Sequence, residues 1–282
     1  MRGKLKIFGL ILTILLMLAG PVFAEVTDYQ VGARPIGMGG AFVGLADDAN
    51  AAYWNPAGLI LIDGLSLTSM HANMFGMTDL TLNYYAIGYP VNGLGFGLNL
   101  IEERGQLYEY DLGTNEYVIR RAGISLAHSF FNNLSVGATV NQYNFTTNID
   151  RKNGMAFDLG LLYSGDKYSF GAVARNIYSN VPGDELDAMY QLGVSWNPGF
   201  LPLTLAADLS IKKDISDLNK IVVGYHLGME YTLMEKIQLR SGYNNGNLSG
   251  GFGLNYNGFQ FDYAYTMHEL GPTHRISGGF NF

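Results

Sequence analysis

From residue 65 to the C-terminal Phe282, apolar and small or polar residues alternate with a period of two. Leu203, Leu205, Ala207, Leu209 and Ile211 stand against Thr204, Ala206, Asp208 and Ser210. Phe259, Phe261, Tyr263 and Tyr265 stand against Gln260, Asp262, Ala264 and Thr266, and Leu134, Val136, Ala138 and Val140 against Ser135, Gly137, Thr139 and Asn141. Such segments are strands with a greasy face and a small or wet one. Fourteen start near Leu65, Leu80, Gly93, Glu116, Asn133, Gly154, Lys167, Asp187, Pro202, Lys220, Glu235, Asn247, Gly258 and Thr273. Most run about ten residues, the length a tilted strand needs to cross a bilayer. The pattern predicts an all-β fold: a transmembrane antiparallel up-and-down β-barrel of about 14 strands, apolar outside, with a small N-terminal helical plug in the lumen.

The connections sort by length. Asn92-Gly93, Asn132-Asn133, Gly165-Asp166, Asn197-Pro198-Gly199, Met234-Glu235 and Asn257-Gly258 are tight turns at every second junction. Longer polar connections are expected at Glu102 to Glu116, Asn144 to Gly154, Asn176 to Asp187 and Lys212 to Lys220. Short turns on one rim and long loops on the other match the two ends of an outer-membrane barrel. Tyr89, Phe130, Phe131, Tyr163, Trp196, Phe200, Tyr231 and Tyr256 lie beside the tight turns, as an interfacial girdle does. The last strand alternates to Phe280 and Phe282 and resembles the terminal signal read by the barrel insertion machinery. Pairing it with the first strand removes both edges.

The inward positions are rich in glycine: Gly93, Gly95, Gly97, Gly137, Gly160, Gly171, Gly193, Gly224, Gly228, Gly251, Gly253 and Gly279. Glycine inside a strand marks close backbone approach, here by a plug, or tolerance of a watery face. Lumen charges expected from the alternation are Asp158, Arg175, Asp208, Glu230, Arg240, Asp262 and Arg275. Their mixed sign favours salt-bridge ladders holding a plug, such as Arg240 with Asp47 or Asp48, over a selectivity ring of one sign.

Residues 1–24 read as a cleaved export signal. Arg2, Lys4 and Lys6 precede the apolar run Ile7 to Ala19, Gly20-Pro21 breaks it, and Val22-Phe23-Ala24 suits cleavage before Glu25. The run is too short for a retained membrane helix. Removing the signal's three bases takes the 17 basic residues to 14 against 24 acids, a net charge of −10. That balance argues against nucleic acid as a partner. The chain has no cysteine, which excludes disulfides and thiolate metal sites. None of His71, His128, His226, His268 and His274 has metal-ligand spacing, so no metal or cofactor is expected. No serine can be matched to a histidine and an acid from sequence, so catalysis is not expected.

The stretch Gly32 to Leu59 is the least strand-like part after the signal. Asn55 can cap a helical turn with Pro56 at its first position, Asp47 and Asp48 precede a short apolar helix over Ala49 to Trp54, and Gly37, Gly39 and Gly40 permit tight bends. Two short helices are predicted. Residues 37–59, GMGGAFVGLADDANAAYWNPAGL, resemble the N-terminal signature of the PorV/PorQ branch of the FadL-like outer-membrane barrels, whose Asn-Pro-Ala element matches Asn55, Pro56 and Ala57. The resemblance implies a signal peptide (1–24), an N-terminal hatch (25–64) and a transmembrane barrel (65–282) in the outer membrane of a Gram-negative-type bacterium. It implies either a hatch-gated conduit for small hydrophobic compounds or a PorV-like surface scaffold that transports nothing and works with exported proteins; an outer-membrane enzyme is a third reading.

A hydrophobic path needs an apolar pocket. The inward face is small and polar, which leaves the outer loops: Met70, Met74, Phe75 and Met77, with Leu107, Tyr108 and Tyr110, are candidate entry residues. Loop hydrophobes resting on the rim would give the same pattern.

Overall fold

The computed structural model describes residues 29–109, 113–131, 133–148, 150–181, 186–213 and 221–282, with 107–109 and 113–115 as backbone only. The predicted signal peptide and Tyr110 lie outside the described residues.

Fourteen antiparallel strands close into one barrel. They are β1 Ser66–Asn73, β2 Thr81–Val91, β3 Leu94–Glu109, β4 Gly113–Phe131, β5 Leu134–Thr147, β6 Arg151–Ser164, β7 Tyr168–Asn180, β8 Met189–Trp196, β9 Leu203–Lys213, β10 Ile221–Leu233, β11 Ile237–Asn244, β12 Asn247–Tyr256, β13 Phe259–Thr266 and β14 Thr273–Asn281. Each pairs with its sequence neighbours, and β14 returns to β1 with Asn281 opposite Ser66 and His274 opposite Asn73. No strand edge remains, which is the condition for a sheet in hydrocarbon.

The exterior carries the apolar half of each alternation. Leu98, Ile124, Leu126, Leu161, Leu192, Leu239 and Ile276 all point outward and are exposed. Tyr89, Phe130, Phe131, Tyr163, Phe200 and Tyr256 are exposed at the short-turn rim, beside Phe282. The tight turns owe their form to backbone sign: Asn92-Gly93 and Asn257-Gly258 both hold two consecutive positive φ angles, the twist that suits a two-residue hairpin.

The long-loop rim differs from expectation. The stretches Glu102 to Glu116 and Asn144 to Gly154 are mostly strand, with Glu102 opposite Arg120, Glu109 opposite Gly113 and Asn144 opposite Asn153. Polar residues occupy both faces there, so the alternation that marks a strand in lipid is lost although the ladder continues. The wall from β3 to β7 therefore stands taller than the wall from β11 through β14 to β1. Asn245-Gly246, between β11 and β12, is a further tight turn at this rim.

The segment before β1 fills the lumen. It contains helix α1 Ala33–Gly37, helix α2 Ala51–Trp54 and a 3-10 turn Pro56–Leu61. Val31, Phe42, Val43, Ala46, Trp54, Ala57 and Leu59 are wholly or almost wholly buried, and the main apolar core lies between this hatch and β1–β3 rather than in the barrel wall.

Candidate functional site

Two short helices and their bends leave many backbone groups without partners in regular structure, and a buried backbone group must find one. The wall supplies them. Asn99 donates to the Ala52 carbonyl at 2.9 Å, Ser135 to Ala57 at 2.8 Å and Ser195 to Gly44 at 3.1 Å. Asp208 Oδ2 accepts from both Phe42 N and Val43 N at 2.8 Å. The lumen side chains that alternation marks as polar are thus partners of the hatch backbone.

Asn55 is the centre of this arrangement. Its Oδ1 accepts from Ala57 N at 3.2 Å and caps the 3-10 turn, with Pro56 at the first position. Its Nδ2 donates to the Val43 carbonyl at 2.9 Å and to the Leu161 carbonyl of β6 at 3.0 Å. Asp47 and Asp48 do not cap α2 directly: Asn50 precedes the helix without a side-chain cap bond, and Asp48 Oδ1 accepts from Asn50 N at 2.8 Å.

The bare wall meets the hatch. A Cβ at Gly95 or Gly97 would strike Leu59, at Gly137 the Pro56-Ala57 backbone, at Gly160 Asn55 and Pro56, at Gly171 Val43 and at Gly228 Met38. Gly193 faces Gly44 and Asp208. Four of the twelve inward glycines do not fit this role: nothing approaches Gly93, Gly279 faces Leu67 and Gln260, Gly224 faces Ser210 and Asn245, and Gly253 faces Arg240, Asp262 and Gln238. Gly251 lies nearest Tyr263 with Gly37 behind it. Gly242 and Gly88, outside the sequence set, touch Gly39 and Ile62. Gly39 and Gly40 take positive φ, whereas Gly37 is helical and lies against Arg240.

All seven expected lumen charges are buried inside the barrel. Their pairing corrects the sequence expectation. Arg240 does not reach Asp47 or Asp48; it binds Glu230 and Asp262, each at 2.6 Å. The bridging residue is Arg34 of α1, which holds Asp47 at 2.6 Å, Asp48 at 2.7 Å and Glu230 at 3.1 Å. Hatch and wall are joined through Asp47 and Asp48, Arg34, Glu230, Arg240 and Asp262. Burial pushes the Asp47 carboxyl above its ordinary range, and Arg34 pulls it back.

A second cluster holds the hatch tip. The guanidinium of Arg121, a lumen charge the alternation did not single out, lies 4.7 Å from the Tyr53 ring centre, and that of Arg175 lies 4.4 Å from it. Arg121 pairs with Asp158 at 2.8 Å, and Arg175 donates to the Trp54 carbonyl at 3.2 Å. Here the β6–β7 register shifts: Leu159 faces Ala174 and Phe157 faces Tyr178, so Arg175, Asn176 and Ile177 share one position with Asp158.

Above the hatch, toward the long-loop rim, lies a cavity of about 200 Å³. Met74, Phe75, Leu80, Leu82 and Leu270 form apolar wall, while Tyr29, Gln30, Ser210, His226, Asn245 and Arg275 bring polar groups. Of the sequence-predicted entry residues, Met74 and Phe75 stand here. Met77 is exposed. The side chains of Leu107 and Tyr108 lie outside the described set. Met70 belongs elsewhere: its side chain turns into the lumen, 3% exposed, and its sulfur accepts from Gly32 N at 3.1 Å. Its place in β1, with an even inward register, is the reason. Ser210 and His226, on paired strands, meet at 3.3 Å, and His226 Nδ1 faces the Gly39 carbonyl at 3.2 Å. That pair fastens the hatch bend to the wall; His226 could be paired with Ser210 only once the β9–β10 register was known.

Phe280 and Phe282 stack edge-on with ring centres 4.2 Å apart at the short-turn rim.

Comparison by sequence finds no matching family model and no matching curated protein. Solved structures do match in fold. The chain is similar to the CymD monoaromatic hydrocarbon channel, with TM-score 0.70 and 16% identity over 89% of this chain and 97% of that one. It is similar to the Pseudomonas putida toluene transporter TodX, with TM-score 0.69 and 14% identity over 92% and 98%. A Pseudomonas aeruginosa FadL homologue matches with TM-score 0.62 and 13% identity over 93% and 100%.

Proposed function

We propose that this chain is a FadL-like outer-membrane barrel, made with a cleaved signal (1–24), that admits small hydrophobic compounds past a hatch (25–64) lodged in its 65–282 barrel. The observation that carries the reading is the cavity at the outer mouth, with apolar wall at Met74, Phe75, Leu80, Leu82 and Leu270 and the hatch beneath it. Its shape-mates are a monoaromatic hydrocarbon channel and a toluene transporter. Met74 and Phe75 receive the compound, and the hatch residues Gly37, Gly39, Gly40, Asp47, Asp48, Asn55, Pro56 and Ala57 keep the path shut until it moves. The lumen charges Asp158, Arg175, Asp208, Glu230, Arg240, Asp262 and Arg275 hold hatch and wall together. Phe280 and Phe282 serve recognition by the insertion machinery, and the outer face meets outer-membrane lipid.

A second reading rests on a different observation. The hatch is packed against backbone on the glycine wall, which suits a PorV/PorQ-type scaffold that binds exported proteins and transports nothing. One experiment separates the two. Uptake of the fluorescent probe N-phenyl-1-naphthylamine is measured across the intact outer membrane of cells making the full chain, the chain lacking 31–64, or neither. Transport predicts uptake above the empty cells for the full chain and a further rise on deletion. Full chain and empty cells taking up probe alike would sink it.

A further inference from the structure

Arg121 and Arg240, both buried, and Arg34, partly buried, each face carboxylates. Arg275 of β14 is 1% exposed and lines the mouth cavity, yet no carboxylate among the described residues pairs with it. Among the described residues its guanidinium is met by neutral groups alone. Nε donates to the Gln30 carbonyl at 3.2 Å, Nη1 to Thr266 Oγ1 at 3.0 Å and Nη2 to Gln30 Oε1 at 3.3 Å, with the Met74 sulfur at 4.0 Å. A buried guanidinium without a counter-charge is costly unless something supplies one. Its planar fork matches a carboxylate in a two-point geometry.

The acid on the same cavity wall does not supply it: Glu103 accepts from the Tyr117 hydroxyl at 2.8 Å. Lys212 adds a second cation to the lining. Among the described residues the lining holds Arg275 and Lys212 beside the one acid Glu103. The cavity's size limits the guest. Its volume of about 200 Å³ is below the roughly 300–1,000 Å³ of drug-sized sites, while a void of about 150 Å³ accommodates benzene.

Resting on the transport reading above, we infer that the mouth cavity binds a monoaromatic carboxylate, its ring against Met74, Phe75 and Leu82 and its carboxylate on Arg275 in place of the Gln30 side chain. An ionised head distinguishes this guest from a neutral hydrocarbon. The Gln30 side-chain oxygen, on Arg275 Nη2 at 3.3 Å, marks where one carboxylate oxygen would sit.

The test uses the full-length processed protein in detergent, with benzoate and its neutral isostere benzamide titrated at neutral pH by calorimetry. The expected result is benzoate bound at least tenfold more tightly than benzamide. Arg275→Gln should erase that preference, and Gln30→Ala, which frees the guanidinium, should strengthen benzoate binding severalfold. Equal binding of the two compounds, no benzoate binding, or a preference untouched by Arg275→Gln overturns the inference. If Arg275→Gln loses the heat-resistant folded band on a gel, Gln30→Ala decides: unchanged or weaker benzoate binding overturns it. Uptake of the neutral probe is read separately. A protein that passes the probe and ignores benzoate loses this inference alone, and one that binds benzoate and passes no probe loses the transport reading.

Discussion

The lumen has two halves built on opposite terms. In the lower half, wall glycines let hatch backbone lie against wall backbone, every ion pair closes on a partner, and Ser, Asn and Asp side chains answer the hatch's own peptide groups. In the upper half, side chains of Met, Phe and Leu line an open volume, and a guanidinium rests on neutral stand-ins. The lower half is packed backbone against backbone, so an added atom there must be absorbed by rigid neighbours. The upper half keeps a volume of about 200 Å³ between side chains, where an added atom meets groups that can move. Close packing and open space are thus divided between two levels of one barrel.

Deleting residues 31–64 should produce the largest effect. It empties the lower half and should raise probe uptake by about an order of magnitude or more, since the lumen of an unplugged barrel is water-filled; uptake equal to the intact chain would show that the hatch is not the barrier. Arg34→Met comes next. It removes the cation shared by Asp47, Asp48 and Glu230 and leaves Arg240 on Glu230; these pairs are part-buried, so the loss should fall below the cost of a fully buried pair, about 3–5 kcal/mol. The urea midpoint should fall accordingly. A carboxyl with a raised folded pKa stabilises the fold when protonated and loses that contribution as pH rises through its folded value. Asp47 is already raised by burial, so the deficit of Arg34→Met should be greatest at neutral pH and shrink toward about pH 4. A deficit independent of pH would place the effect in packing instead.

A pair of alanine substitutions sharpens the contrast between the halves. Gly171→Ala would press on the Val43 backbone, with overpacking of about 1–3 kcal/mol. Gly224→Ala meets the ends of the Ser210 and Asn245 side chains, which can turn aside, and should cost less than about 1 kcal/mol. Equal losses would dissolve the distinction drawn here. The smallest stability effect is expected at Phe75→Ala in the mouth. Phe75 lies in the left-handed region with φ 56, so the loss of ring packing is the whole change, and the unfolding midpoint should move little while probe uptake changes severalfold.

The strands were legible because an apolar exterior and a fixed filling inside impose a strict period of two, as along Leu203 to Ile211. The hatch element was legible at Asn55-Pro56 because capping is a local matter, and the cap bond to Ala57 is made as the residues imply. What failed was what depends on how the hatch is seated against the wall. Arg34 meets Glu230 across 196 residues, and no local pattern reveals that it, rather than Arg240, holds Asp47 and Asp48. The tall β3–β7 wall was hidden for another reason: where the exterior stops being apolar, both faces go polar and read as loop. Met70 reads in the sequence as an outer-loop entry residue beside Met74, Phe75 and Met77, yet its parity in β1 sends it inward.

The seam between β14 and β1 has a consequence for how the molecule is made. Ala33 N donates to Ser277 Oγ at 3.0 Å, and Arg275 donates to the Gln30 carbonyl, so the terminal strand touches the first described residues of the chain as well as β1. A chain that reaches β14 with its start misplaced forfeits both sets of contacts at once, so closure of the ring and seating of the hatch are coupled through one strand.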